Sequence, residues 1–102
     1  MRESCVALRY KDGKPFQAVI LTLDFHKEDT LWVASCLELG TATDDSDIEV
    51  ARKELLENIS LQLDGAEELG FIAEYLKERN IHVFSLPREQ TRTNVATWAV
   101  TA

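Results

Sequence analysis

The densest group of chemically active side chains in this 102-residue chain is a run of four closely spaced carboxylates: Asp44, Asp45, Asp47 and Glu49. Carboxylates grouped this closely can hold a hard cation such as Ca²⁺ or Mg²⁺. A calcium loop that begins at Asp45 would need glycine at its sixth position and a bidentate glutamate at its twelfth. The chain has Val50 and Leu56 there, so the spacing does not match a calcium loop.

A magnesium-dependent nuclease could also use these acids, provided that carboxylates from other elements, Asp24 or Glu38, converge on them. A structural role is the competing interpretation. Ser46 is followed three residues later by Glu49, which is the pattern of a capping box at a helix start. Acidic residues at that end also interact favourably with the helix dipole. We therefore predict a helix start that presents negative charge and holds no metal ion, with the nuclease as a second hypothesis.

The remaining nucleophilic and metal-binding residue types are scattered. His26 and His82 each stand alone, without the spacing of a zinc site. Cys5 and Cys36 lie in apolar, strand-like runs, where a free cysteine behaves as a small buried hydrophobe. No glycine-rich phosphate loop and no nucleophile elbow is present. The sequence predicts a non-catalytic protein without a cofactor.

Size and charge limit the function further. A chain of 102 residues with 45% hydrophobic and 28% charged residues fits one globular domain over residues 1–102. Its net charge of −7 argues against a general nucleic-acid surface and fits either a basic protein partner or an acidic surface that maintains solubility. Neither a basic and apolar leader nor an apolar run of membrane-spanning length is present, which predicts a cytoplasmic protein without membrane contact.

Alternating apolar residues predict strands at residues 4–10, 16–25 and 31–37 and a short edge strand at 41–43. Asp12-Gly13 predicts a tight hairpin turn between the first two strands, because both residues tolerate positive φ. Residues 26–29 (HKED) predict a polar turn before the third strand. The first half of the chain therefore reads as an antiparallel meander.

A helix then follows, with a core-facing stripe at helical spacing: Ile48, Ala51, Leu55, Ile59 and Leu63. Gly65 predicts either a stop or a kink. The next segment predicts a shorter helix that ends near Arg79, with Asn80 as the C-terminal breaker. It has its own apolar positions: Leu69, Ile72, Ala73 and Leu76.

Residues 81–86 and 95–100 predict two more strands, joined by a polar connector at 88–94. The final strand, which carries Trp98, must pair either within the same chain or with a second copy. The predicted fold is α+β: a mainly antiparallel sheet of three to five strands, with one long and one shorter helix on one face.

Three consecutive segments, residues 32–39 (WVASCLEL), 40–43 (GTAT) and 45–51 (DSDIEVA), resemble the strand–turn–helix pattern of the HicB-like antitoxin family. The resemblance implies a partial ribonuclease-H-like fold, in which a helix crosses one face of an antiparallel sheet. Usual members of the family neutralise a small basic ribonuclease toxin by covering its catalytic surface, and they carry a separate DNA-binding domain.

The chain departs from the family pattern at three positions: Asp44 replaces a glycine, Ser46 a threonine and Val50 a glutamate. Only 16 residues follow Leu86, too few for a helix-turn-helix. The resemblance therefore implies a stand-alone variant that does not bind DNA directly.

On this interpretation the residues expected to contact a toxin are acidic: Glu38, Asp44, Asp45, Asp47 and Glu49. We also expect a homo-oligomer, a dimer or larger. A stand-alone oligomer with no toxin partner remains the alternative to the antitoxin.

Overall fold

The computed structural model describes residues 1–86 and 97–101, which form an antiparallel sheet and two helices. The elements in chain order are strands β1 (Arg2–Lys11), β2 (Lys14–Glu28), β3 (Leu31–Cys36) and β4 (Thr41–Asp45), helices α1 (Ile48–Glu68) and α2 (Ile72–Glu78), and strands β5 (Val83–Ser85) and β6 (Thr97–Thr101). The strand order is β4-β3-β2-β1-β6, and β5 also pairs with β2. The α+β class is confirmed, with six strands rather than three to five. The connector predicted at 88–94 and the first two residues of the last predicted strand lie outside the described residues.

The β1–β2 hairpin forms at the predicted turn. Asp12 and Gly13 have φ values of 53° and 73°, the left-handed conformation that a two-residue primed turn needs. The two strands pair along almost their whole length, from Arg2 opposite Asp24 to Lys11 opposite Lys14. This long hairpin is the centre of the sheet.

Strand β2 is longer than predicted, because residues 26–28 are strand rather than turn. His26 pairs with Val33 and Glu28 with Leu31, and the chain reverses at Asp29, which has a φ of 54°. The predicted polar turn is therefore present at Asp29, but its assignment to residues 26–28 was wrong. These residues are exposed at the end of the sheet, so their polarity reflects solvent contact rather than the end of the strand.

Helix α1 covers one face of the sheet with the predicted stripe. Ala51, Leu55, Ile59 and Leu63 are completely buried, and Ile48 packs at the margin of the core. They share one core with inward-facing residues of the strands: Cys5, Ala7, Val19, Leu21, Leu23, Phe25, Ala34 and Cys36. Full burial of each large aliphatic side chain contributes about 1.5–3 kcal/mol. The long helix is therefore held mainly by its contact with the sheet.

Gly65 lies within α1 and does not end it, since the helix continues to Glu68. In α2, Ile72 and Leu76 are buried as predicted, whereas Leu69 is 74% exposed and Ala73 is also exposed. Leu69 is the C-cap residue of α1 and faces solvent. Asn80, with a φ of 55°, ends the α2 segment as predicted.

The last strand pairs within the chain. Strand β6 lies antiparallel to β1, with Ala99 opposite Leu8 and Trp98 opposite Arg9. The indole of Trp98 is on the helix side of the sheet, and the residue is 4% exposed. Of the two predicted pairings, the structure therefore has the one within a single chain.

The opposite side of the sheet, called the open face below, carries the alternate residues of each strand. On β1 and β2, Val6 and Ile20 lie on the open face, whereas Cys5 and Leu21 lie in the core. No helix in the described part of the chain is long and apolar enough to cross a membrane.

Candidate functional site

The predicted acidic cluster lies where edge strand β4 turns into α1. Asp44 and Asp45 are the last two residues of β4, and Asp47 is the N-cap of α1. The Asp47 carboxylate accepts a hydrogen bond from the Glu49 backbone N–H at 2.8 Å. The predicted cap, Ser46, was therefore wrong by one residue, and Asp44 and Asp45 belong to a strand rather than to the helix entrance.

Local hydrogen bonding explains where the helix begins. Serine and aspartate are both good N-cap residues, so the sequence alone does not choose between Ser46 and Asp47. Strand β4 continues through Asp45, whose Oδ1 atom accepts from the Asp47 backbone N–H at 2.9 Å. This bond fixes the turn and leaves the Asp47 carboxylate positioned over the first turn of the helix.

Glu49 is paired with a cation that also reaches β1. Its carboxylate accepts from Arg52 Nη1 at 2.5 Å, and Arg52 Nη2 donates to Glu3 at 2.5 Å. The Arg52 guanidinium lies 4.8 Å from the ring centroid of Phe25. Hydrogen bonds to Glu3 and then to Glu49 raise the pKa of Arg52. Arg52 therefore partly neutralises the Glu49 end of the cluster.

Glu38 is separate from the cluster and bonds to the sheet. Its carboxylate accepts from the Thr22 backbone N–H at 2.7 Å and from Thr22 Oγ1 at 2.9 Å. This part of β2 lies between the residues paired with β3, which begin at Leu23, and those paired with β5, which end at Val19. Glu38 therefore supplies an acceptor for the Thr22 backbone N–H in the gap between β3 and β5, which pair with the same edge of β2.

Asp44 is the cluster member with the greatest freedom to contact a partner. It is exposed on the open face, opposite Val33 of β3. Its carboxylate forms no hydrogen bond or ion pair with any residue that the structure describes.

A second group of ionisable residues lies on the open face along β2. Because side chains alternate along a strand, Asp24, His26 and Glu28 share one face. His26 contacts Glu28 at 3.0 Å and Asp24 at 3.4 Å. The hydrogen bond to Glu28, followed by the one to Asp24, raises the pKa of His26. Asp24 also lies 3.5 Å from Arg2.

The convergence required by the nuclease hypothesis is not seen. Asp24 contacts Arg2 and His26, whereas Glu38 binds Thr22, so each is committed to partners outside the cluster. Across residues 1–86 and 97–101, no three His, Cys, Asp or Glu side chains are placed so that they could hold a metal ion.

Both cysteines are buried free thiols, as predicted. Burial, followed by the charge interactions with Cys36 and Glu38, raises the pKa of the Cys5 thiol to about 12. Burial also raises the pKa of Cys36. Both thiols therefore stay protonated at neutral pH, which is unfavourable for nucleophilic attack.

Three polar contacts join residues that are far apart in the sequence, and no local sequence pattern predicts them. The Asp64 carboxylate on α1 accepts from the Trp98 backbone N–H at 2.9 Å, and Ser60 Oγ donates to the Trp98 carbonyl at 3.3 Å. The Arg9 guanidinium donates two hydrogen bonds of 2.5 Å to Glu67 on α1. The partners are 34 to 58 residues apart in the chain. Only the folded topology brings them together.

Comparison with protein-family models, curated proteins and solved structures gave no match. The contacts described above and the resemblance in residues 32–51 are therefore the observations that bear on function.

Proposed function

We propose that this chain is a non-catalytic, HicB-like antitoxin module that occludes a small basic ribonuclease toxin in the cytoplasm. The main support is the exposed, unpaired carboxylate of Asp44, which lies in a strongly acidic segment. Residues 41–50 contain four acids and no lysine or arginine, a local charge of −4 within a chain of net charge −7. A basic partner would be attracted to this segment over a Debye length of about 8–10 Å at physiological salt.

The hydrogen bonds of each acid indicate which of them can contact the toxin. Asp44 is unpaired, and Asp47 uses one oxygen on the Glu49 N–H but is itself exposed. Glu49 shares the Arg52 guanidinium with Glu3, but its own side chain is 70% exposed and can still contact a partner. The carboxylates of Asp45 and Glu38 accept hydrogen bonds from backbone N–H groups. In the proposed interface these two residues support the local backbone and do not contact the toxin directly. Asp44 is accordingly the principal contact, with Asp47 and Glu49 beside it.

Occlusion does not require the antitoxin to form or break any covalent bond. A ribonuclease binds the phosphates of RNA through a basic surface, and an acidic surface can compete for that surface. The toxin would be inhibited because its RNA-binding surface is covered. The strength of inhibition should fall as salt rises, since the attraction is between exposed charges.

The direct test is inhibition of the basic protein encoded next to this gene, produced separately and assayed for RNA cleavage. The wild-type chain is expected to inhibit cleavage, and Asp44→Lys is expected to weaken inhibition at least about tenfold by placing a cation against a basic surface. Glu74→Lys is the matched control. It makes the same charge change at an exposed acid on α2 and should leave inhibition within about twofold.

Two outcomes would contradict the proposal. The first is the absence of any basic neighbour that the wild-type chain inhibits, which would favour the stand-alone oligomer. The second is cleavage of RNA or DNA by the purified chain with Mg²⁺ or Mn²⁺, abolished by Asp45→Ala, which would favour the nuclease. Equal inhibition by the Asp44→Lys and Glu74→Lys variants would assign the toxin to a different surface.

A further inference from the structure

The open face carries an uncharged, apolar patch that neither α1 nor α2 covers. Its members lie in adjacent positions on strands β5, β2, β1 and β6: Phe84, Ala18, Ile20, Leu8, Val6 and Ala99. We call this set the open-face patch. Ile20 is 50% exposed, Phe84 44% and Val6 36%. A contiguous exposed apolar surface of this kind marks an interaction site more often than scattered single residues do.

Strand pairing shows that the patch is continuous. Val6 lies directly opposite Ile20, and Leu8 lies between Ala18 on one side and Ala99 on the other. Phe84 extends the second row, because it pairs with Ala18. Directly paired residues on one face have Cβ atoms about 4.5–5.5 Å apart, so these side chains form one surface four strands wide.

We infer that the open-face patch is the surface on which a second copy of this chain docks, forming a symmetric dimer. The charge distribution favours this occupant over a basic partner. Two copies of net charge −7 repel each other, and the surface that they share must lie away from carboxylates. The patch contains no Asp, Glu, Lys or Arg, whereas the unpaired acid of the open face, Asp44, lies at the opposite edge of the sheet. A basic partner would be drawn to that acidic edge.

The two outer strands offer a second copy no comparable surface. At β6, the backbone N–H and C=O of Trp98 already bond to Asp64 and Ser60 of α1, so this edge is closed at Trp98. At β4, pairing with a second copy would bring two further acids, Asp44 and Asp45, to an edge that already carries the same pair. This concentration of like charge disfavours association through two β4 edges. Of the surfaces that the sheet offers, the open face is therefore the one favoured for a second copy, with the two sheets packed face to face and the apolar side chains between them.

The test is the oligomeric state of the full chain, measured by sedimentation equilibrium from about 5 to 500 μM, a range that covers weak interfaces of small area. The wild-type chain is expected to dimerise within this range. Ile20→Lys should raise the dissociation constant at least about tenfold, because it places a charge in the apolar interface. Val6→Lys should act in the same direction.

Leu61→Lys is the matched control. Leu61 is 70% exposed on α1, so the substitution makes the same chemical change on the opposite side of the molecule. It should change the dissociation constant by less than about twofold. Circular dichroism and thermal unfolding should show that all three variants are folded, since each replaces an exposed side chain.

A wild-type chain that stays monomeric at the highest concentration would overturn the inference. So would a dimer that tolerates Ile20→Lys but not Leu61→Lys, which would place the interface on the helices. If the chain is monomeric and Ile20→Lys instead abolishes toxin inhibition, the patch belongs to the toxin. The dimer does not depend on the proposed antitoxin function, so the two proposals can fail separately.

Discussion

At the scale of single residues, carboxylates in this protein are used in two different ways. Some satisfy backbone donors, as Glu38 does for Thr22, Asp45 for Asp47 and Asp64 for Trp98. Others, such as Asp44, face solvent without a partner. A partly buried N–H without an acceptor is costly, so Glu38 and Asp64 should matter for stability, whereas Asp44 should matter for binding.

Glu38 and Asp44 allow a direct test of this division. Glu38→Ala leaves the Thr22 N–H and Oγ1 without their acceptor and should lower the free energy of unfolding by about 1–3 kcal/mol. Glu38→Gln keeps one acceptor oxygen and should recover most of this loss. Asp44→Ala should change stability by less than about 0.5 kcal/mol, because its carboxylate is exposed and has no hydrogen-bond or ion-pair partner in residues 1–86 and 97–101. Urea denaturation measures all three, and equal losses for the two alanine variants would contradict the division.

At the scale of elements, much of the fold follows from the sequence. The Asp12-Gly13 hairpin and the buried stripe of α1 formed as predicted, because positive φ and helical periodicity are local properties. The end of β2 was misplaced, since exposed polar residues at the tip of a sheet resemble a turn. The helix start shifted from Ser46 to Asp47, because two adjacent residues can both serve as caps.

The candidate site was only partly predictable for a related reason. The sequence identified the acids and their position at a strand–helix junction, and the structure places four of them there. It could not show that Glu38 binds Thr22, 16 residues away, or that Arg52 binds Glu3, 49 residues away. Such pairs depend on strand register and on the position of the helix over the sheet, which no local pattern determines.

The position of the helix cap can be tested with adjacent substitutions. Asp47→Ala removes the acceptor of the Glu49 N–H and should destabilise the protein by about 0.5–2 kcal/mol. Ser46→Ala should be nearly neutral, since the side chain at the cap position is that of Asp47. Thermal and urea unfolding of both variants provide the comparison. A larger loss for Ser46→Ala would restore the capping box that the sequence first suggested.

At the scale of the whole molecule, the two ends of the chain are joined in one sheet. Strand β6 pairs with β1, and α1 closes the outer edge of β6 through Ser60 and Asp64. An unpaired strand edge invites association with other chains, and side chains that satisfy its backbone groups reduce that risk. This closure leaves the open-face patch as the uncharged surface on which we propose dimerisation. The patch lies on β5, β2, β1 and β6, whereas the acidic edge proposed for the toxin is β4, at the other side of the sheet.

Asp64 should therefore affect both the stability of β6 and the behaviour of the sheet edge. Asp64→Ala leaves the Trp98 N–H without its acceptor and should cost about 1–3 kcal/mol, with faster hydrogen exchange at the Trp98 amide. Asp64→Asn retains a carbonyl oxygen at the same position and should keep most of the stability and protection. If Asp64→Ala leaves exchange at Trp98 unchanged, main-chain pairing with β1 is sufficient to hold the strand. The side chains of α1 would then contribute nothing to closing the sheet, and the β6 edge would again be a possible interface between copies.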